Sequence, residues 1–264
     1  MSINWQRMFG KSTARFPVEN PSMKNFHDEL KQFNARLIDH KNFSLVRFGD
    51  GEMIIINGKA IDLSQKYNGE HQYIPGEKQH EQQRKLLRQS LIWQSSNYYV
   101  GIACPCCVGT PAFLALKDQS QQSDHQLTWA NIFVNSNYAT FITETTAAIA
   151  GRTVNMICHH IADISRLPFE VNATFRSGPN SWLNDHQRLL DEITQYIESN
   201  NVDSEVFIFC AGVLSNMLVY QLSKRFPQNT YIDIGSVFDD VMGLGKTRKY
   251  LRNGRTLRQT CVWI

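Results

Sequence analysis

Charge is sparse in this chain and nearly balanced: Asp, Glu, Lys and Arg make up 19% of the 264 residues, for a formal net charge of +3. So small an excess permits contact with phosphates or an anionic membrane face, but it does not call for nucleic acid as a partner. No stretch approaches the roughly 18 uninterrupted apolar residues of a membrane span. Residues 1–23 carry scattered charges without an apolar run, so no secretory signal is expected there. Internal repeats, low-complexity tracts and Pro/Gly/Ser linkers are also missing. With 42% apolar residues the chain can fill the core of one large α/β domain, or of two small ones sharing a cleft. The expectation is one domain over 1–264, with 1–23 as an N-terminal extension and 243–264 as a basic tail.

Cysteine is too scarce for a disulfide framework in a chain of this length, so a reducing cytoplasm is the expected setting, with the inner membrane face as an alternative. The six are Cys104, Cys106, Cys107, Cys158, Cys210 and Cys261. Cys104-Pro105-Cys106-Cys107 lacks the paired spacing of a zinc ribbon, and no second cluster completes four ligands. A turn with buried thiols is expected.

Apolar spacing alternates between helices and short buried strands. Segment 25–40 reads as an amphipathic helix, with Phe26, Leu30, Phe33, Leu37 and Ile38 at helical spacing. Further helices are expected over 77–94, 183–199 and 213–226, and strands over 43–48, 98–103, 153–158, 206–210 and 230–234. Strand–helix–strand units at this spacing require crossovers, so the fold expected is α/β and Rossmann-like, a mostly parallel sheet flanked by helices. Ligands of such sheets sit beyond the carboxyl ends of the strands, which directs attention to the loops after Phe48, Ala103, Cys158, Cys210 and Ile234.

The loop after Phe48 is the most informative. Asp50 and Glu52, separated by Gly51, can converge on one hard cation if the glycine lets the backbone turn tightly. Mg²⁺ or Mn²⁺ needs only one or two protein carboxylates when substrate phosphates complete its shell. Arg47 can clamp a phosphate or fix a carboxylate by a bidentate contact. The plainer reading is a tight turn with solvated acids, Asp-Gly being a common turn dipeptide.

Arg47-Phe48-Gly49-Asp50-Gly51-Glu52 at a strand end resembles the signature of the GT-D-type glycosyltransferase domain, a bacterial family first catalogued as a domain of unknown function. The Asp-x-Glu motif of that family binds the metal, which the resemblance puts on Asp50 and Glu52, with Arg47, Gly49 and Gly51 beside the donor. Two other segments are similar to the family: Phe207-Ile208-Phe209-Cys210-Ala211-Gly212 leading into a helix, then Tyr231-Ile232-Asp233-Ile234-Gly235. Ser177-Gly178-Pro179-Asn180-Ser181-Trp182 also resembles a family loop, and the anchors together span residues 45 to 240. The chain departs from the family at Ala211-Gly212-Val213-Leu214-Ser215, where Gly-Pro-Thr is frequent, and at Ser236, where histidine is frequent. Both departures bear on the donor sugar.

Other candidates have plainer alternatives. Asp233 and Asp239 can orient an acceptor hydroxyl or act as a base, or merely cap turns and face solvent with Asp240. Backbone N–H groups from Gly212 can meet a phosphate, or form a plain strand-to-helix turn. Ser177, Asn180 and Trp182 can hold a base or sugar, though Trp182 suits a core anchor equally well. His159 and His160 follow a strand, where histidine is more often structural. Gly243-Leu244-Gly245-Lys246-Thr247 is not a P-loop, because Asp240 stands where the motif needs glycine. The basic run 246–258, with Lys246, Arg248, Lys249, Arg252, Arg255 and Arg258, can reach a donor diphosphate, touch anionic lipid, or be solvated.

The expected function is metal-dependent transfer of a hexose from a nucleotide-sugar donor, a UDP-sugar favoured, to a glycan, glycoprotein or lipid-linked acceptor. The alternatives are a metal-dependent phosphohydrolase and a non-catalytic module docking through its basic tail.

Overall fold

The computed structural model describes residues 24–66, 69–248 and 259–264. In chain order its main elements are α1 (Phe26–Ile38), β1 (Ser44–Phe48), α2 (Asp50–Ile56), β2 (Ile61–Asp62), β3 (Gln72–Tyr73), α3 (Lys78–Ile92), β4 (Tyr98–Ile102), α4 (Thr110–Ser120), β5 (Leu127–Trp129), β6 (Val154–His159), β7 (Ala173–Ser177), α5 (His186–Ser199), β8 (Val206–Cys210), α6 (Val213–Arg225) and β9 (Thr230–Asp233). Single helical turns at Pro105–Val108 and Ser181–Asn184 join some of them.

Each central strand is a short apolar run buried on both faces, as happens when helices cover a parallel sheet from both sides. α1 starts where the Asn25 side chain accepts from the His27 and Asp28 N–H groups, at 2.9 and 3.1 Å. Its Phe26, Leu30, Phe33 and Leu37 are buried as their spacing requires, whereas Ile38 is exposed. α6 is buried over most of its length because it lies over β1 and β9 and is flanked by α3 and α5.

Seven strands form one sheet in the order β5-β4-β1-β9-β8-β6-β7, every adjacent pair parallel. The chain runs outward from β1 through β4 to β5, then restarts at β6 across the centre, steps out to β7 at the edge and returns through β8 to β9. The winding therefore reverses between β1 and β9, the place where open α/β sheets carry their ligand. That seam pairs only Ser44 with Tyr231 and Leu45 with Ile232. Beyond these pairs the two strands part, and a crevice opens between their carboxyl ends. The small antiparallel pair β2–β3 lies outside the sheet, and the loop joining its strands brings Glu70 and His71 to the crevice.

Candidate active site

At the end of β1 the chain does not make the tight turn expected of Asp50-Gly51-Glu52; it enters α2 directly, with Gly49 as N-cap and Asp50 as the first helical residue. Glu52 folds back so that its Oε2 accepts from the Gly49 N–H at 3.0 Å, while Asp50 Oδ1 accepts from the Gly51 N–H at 3.1 Å. Both acids sit in the first turn, where the helix dipole favours negative charge. Gly51 does not turn the chain through a left-handed conformation; its missing side chain eases a close approach, since a Cβ there would lie 3.2 Å from the His71 ring. Burial pushes the Glu52 carboxyl up to about 7, and the negative charges of Asp233 and Asp50 add to the effect. Asp50 itself is exposed to the cleft.

Arg47 reaches a different carboxylate, Asp233, and through one oxygen rather than the bidentate contact expected. Its Nε donates to the Asp233 carbonyl at 2.7 Å, Nη1 to the Ala130 carbonyl at 2.7 Å, and Nη2 faces Asp233 Oδ1 at 3.4 Å. The guanidinium thus ties β1, β9 and the loop after β5 where the sheet splays. Gly235 is required beside it, with φ at +58° and the Arg47 Nη2 only 1.9 Å from where a Cβ would stand. Asp233 Oδ1 also accepts from the Gly235 N–H at 2.9 Å, and its side chain is 4% exposed. Burial raises the Asp233 pKa above the usual carboxylate range, and Arg47 offsets part of that rise. Asn216 of α6 completes the junction by donating to the Arg47 carbonyl at 2.9 Å.

Arg47, Asp50, Glu52, Asp233 and Gly235 line a cleft of about 430 Å³, which reaches across to Gly212 and Arg248. A narrower arm of about 90 Å³ shares Glu70, His71, Gly212, Gly235, Ser236 and Arg248 with it and adds Asp239. Gly212 adopts φ +56° at the mouth of α6 with open space where a Cβ would be, so the helix N-terminus faces the cleft. Arg248 pairs with Glu70 and its Nε donates to Ser236 Oγ at 3.2 Å. Asp239 is raised to about 6 by burial, against a hydrogen bond from Thr247 Oγ1 at 2.5 Å. His71 is depressed to about 4, by burial and then by the charge of Arg248, and both its ring nitrogens are buried without a hydrogen-bond partner.

Several expected residues lie elsewhere. Asn180 lines neither cavity: its Oδ1 accepts from the Gln72 N–H at 3.1 Å and from Trp182 Nε1 at 3.0 Å, which pins the loop to β3. Trp182 is a core anchor at 1% exposure, though its edge and Ser177 touch the narrow arm. His159 borders that arm and His160 does not. Lys246 is exposed and outside both cavities, while Arg248, two residues on, enters them. The rest of the basic run, 249–258, and the extension 1–23 lie outside the described residues. The cysteine turn differs from expectation, since Cys106 and Cys107 are exposed and Cys261 joins them. Glu70, His71 and Asn216 had no signal in the sequence, because each acquires its meaning only from partners far away in the chain.

No protein-family model matches the sequence, and no curated protein does either. Solved structures do match in fold. A selenomethionine form of domain of unknown function 1792 aligns with TM-score 0.56 at 15% identity, over 80% of this chain and 81% of that one. A structure described as that same domain with a distinct glycosyltransferase fold gives 0.53 at 18% identity, over 77% and 76%. A third, described as a new glycosyltransferase of this domain from Streptococcus sanguinis, gives 0.58 at 15% identity, over 83% and 85%. The GT-D-type fold expected from the resemblance is the fold found.

Proposed function

We propose that this chain is a metal-dependent glycosyltransferase that moves a hexose from a nucleoside diphosphate sugar, a UDP-sugar favoured, to a glycan, glycoprotein or lipid-linked acceptor. One observation carries the reading. At the β1–β9 crevice the lining divides by charge into a first, acidic wall of Asp50, Glu52 and Asp233, drawn from the ends of both strands, and a second, electropositive wall of Gly212 at the α6 N-terminus with Arg248. Phosphate oxygens suit the second wall, because a helix N-terminus offers unpaired N–H groups and a positive dipole end, and Arg248 adds a guanidinium.

The first wall suits a hard dication. Glu52 is pushed to about 7 partly by its acidic neighbours, a conflict that a cation between the carboxylates relieves. Asp50 and Glu52 would hold Mn²⁺ or Mg²⁺, and when bound the ion neutralises charge developing on the departing nucleotide. Arg47 fixes the Asp233 carboxyl and offsets part of the rise that burial imposes on it, and Asp233 in turn raises Glu52. Asp239 is the better placed base for an acceptor hydroxyl, since its carboxyl near 6 is largely ionised at neutral pH and borders the narrow arm. Among the described residues no helix is long and apolar enough to cross a membrane, so a lipid-linked acceptor would be met at the surface.

Calorimetric titration with UDP and other nucleoside diphosphates, with and without Mn²⁺, tests the reading. Metal-dependent binding to the wild type that disappears in Asp50→Ala supports it and names the base. Absence of binding by every nucleotide in the presence of metal sinks it. Donor consumption at one rate with or without acceptors points to hydrolysis instead.

A further inference from the structure

Among the described residues, one group of three or more metal-binding side chains converges, and it contains none of the carboxylates above. The sulfurs of Cys104, Cys106, Cys107 and Cys261 all lie within 4.8 Å of one another. We infer that these four thiolates bind a single Zn²⁺ in a closed, structural site. The inference stands apart from the transferase reading and needs neither Asp50 nor Glu52.

The local backbone explains how three sulfurs from one tetrapeptide meet. Cys104 follows β4 as the extended N-cap of the turn Pro105–Val108, with φ −73° and ψ 158°. Its carbonyl accepts from the Cys107 and Val108 N–H groups at 3.0 and 3.1 Å, which winds the chain tightly back. The Cys104 sulfur then stands 2.8 Å from that of Cys106 and 3.2 Å from that of Cys107.

The fourth sulfur arrives on a segment that is built in place. The Gln259 carbonyl accepts from the Ser136 N–H at 3.0 Å, and the Val262 carbonyl accepts from Trp129 Nε1 at 3.1 Å. The Trp263 ring packs edge-on against Phe113 and Trp129, each at 5.1 Å. Cys261, between these anchors, is buried beside Cys104.

The chemistry of this donor set selects the ion. Four thiolates in a compact group suit tetrahedral zinc, whose Zn–S bonds of about 2.3 Å put the sulfurs about 3.8 Å apart. A multi-iron cluster would hold its cysteines farther apart than this group allows. Thiolate ligands are commonly steadied by N–H donors around them, and two are present. Asn131 Nδ2 donates to Cys107 Sγ at 3.2 Å, and Asn135 Nδ2 to Cys261 Sγ at 3.3 Å. With four protein ligands no coordination position is left open, so the ion has a structural part: it staples residues 259–264 to the end of β4. Cys107 and Gln259 both line the cleft, so the staple sets one of its walls.

The test is metal analysis of the full chain, purified without chelators and reconstituted anaerobically with Zn²⁺ after reduction. One zinc per chain is expected, and exchange with Co²⁺ should give the intense sulfur-to-cobalt charge-transfer bands of a tetrathiolate. Cys261→Ser and Cys106→Ser should each weaken zinc binding by at least about 10-fold, whereas Asp50→Ala should keep it. The inference is overturned if the reconstituted wild type carries less than about a tenth of an equivalent, if iron alone is retained, or if the Co²⁺ form lacks the thiolate bands. Because the wild-type spectrum reports the ligands directly, a variant that fails to fold does not blur the result.

Discussion

Two strand ends carry the chemistry of this molecule, and they handle charge in opposite ways. At the end of β1, with Asp233 ending the neighbouring β9, three carboxylates share a half-buried crevice, and protein groups compensate only part of their charge. Arg47 serves Asp233, backbone N–H groups alone serve Glu52, and Glu52 is still driven to about 7. At the end of β4 four sulfurs gather with side-chain amides directed at them. Soft thiolates enclose an ion completely and so make architecture. Hard carboxylates that leave room for a ligand's oxygens make a site that exchanges its contents. On the two proposals, the same strand-end position would serve permanence in one place and turnover in the other.

The comparison is sharpest in what happens when one compensating group is removed. Arg47→Ala strips a buried carboxylate of its partner and should cost about 3–5 kcal/mol in urea unfolding. Asn131→Ala, which removes one N–H donor from a partly exposed sulfur, should cost about 1 kcal/mol or less. Equal losses at the two corners would erase the distinction.

The next effect is a pH dependence confined to the acidic corner. The folded-state pKa of Glu52, about 7, lies above its ordinary 4.5. The fold therefore favours the protonated acid, and stability is lost as pH rises between those values. Glu52→Gln removes that penalty. In buffer free of Mn²⁺ and Mg²⁺ its stability advantage over wild type should grow from near zero at about pH 4 to about 3 kcal/mol at about pH 8. Added Mn²⁺ should narrow the gap. A pH-independent gap would show that Glu52 does not titrate as described.

The smallest effect separates two cations that sequence could not rank. Arg248→Ala should raise the donor KM by about 10-fold through loss of one charge-assisted phosphate contact, while Lys246→Ala should leave it within about 2-fold, as surface substitutions usually do. Steady-state kinetics on a UDP-sugar distinguishes them, and the reverse ranking would move the phosphate wall.

What was legible in the sequence follows from how far each cause reaches. The five central strands are short, mainly apolar runs, so they were visible locally. β5 and β7 were not: one is three residues long, and the other, Ala173-Thr174-Phe175-Arg176-Ser177, is an edge strand with an alternating and partly exposed face. α2 was hidden because Met53 to Ile56 are four consecutive apolar residues without a helical period. The acids that line the cleft were visible because Asp50 and Glu52 stand one residue apart in a segment that resembles a family signature, and Asp233 ends a strand. Arg248 was lost in a basic run, and His71 and Cys261 have no local pattern at all. Their partners are set by the crossing of the chain.

Finally, the seam between β1 and β9 is held by two residue pairs, whereas the other five seams have three to five. The sheet is therefore two leaves, β5-β4-β1 and β9-β8-β6-β7, bound along a short spine at the end away from the crevice. Arg47 and α6 are clasps across the gap. Asp50 belongs to one leaf and Gly212 to the other, so a substrate held by both is itself a clasp. A ligand that bridges the proposed site would therefore add its own binding energy to the cohesion between the leaves.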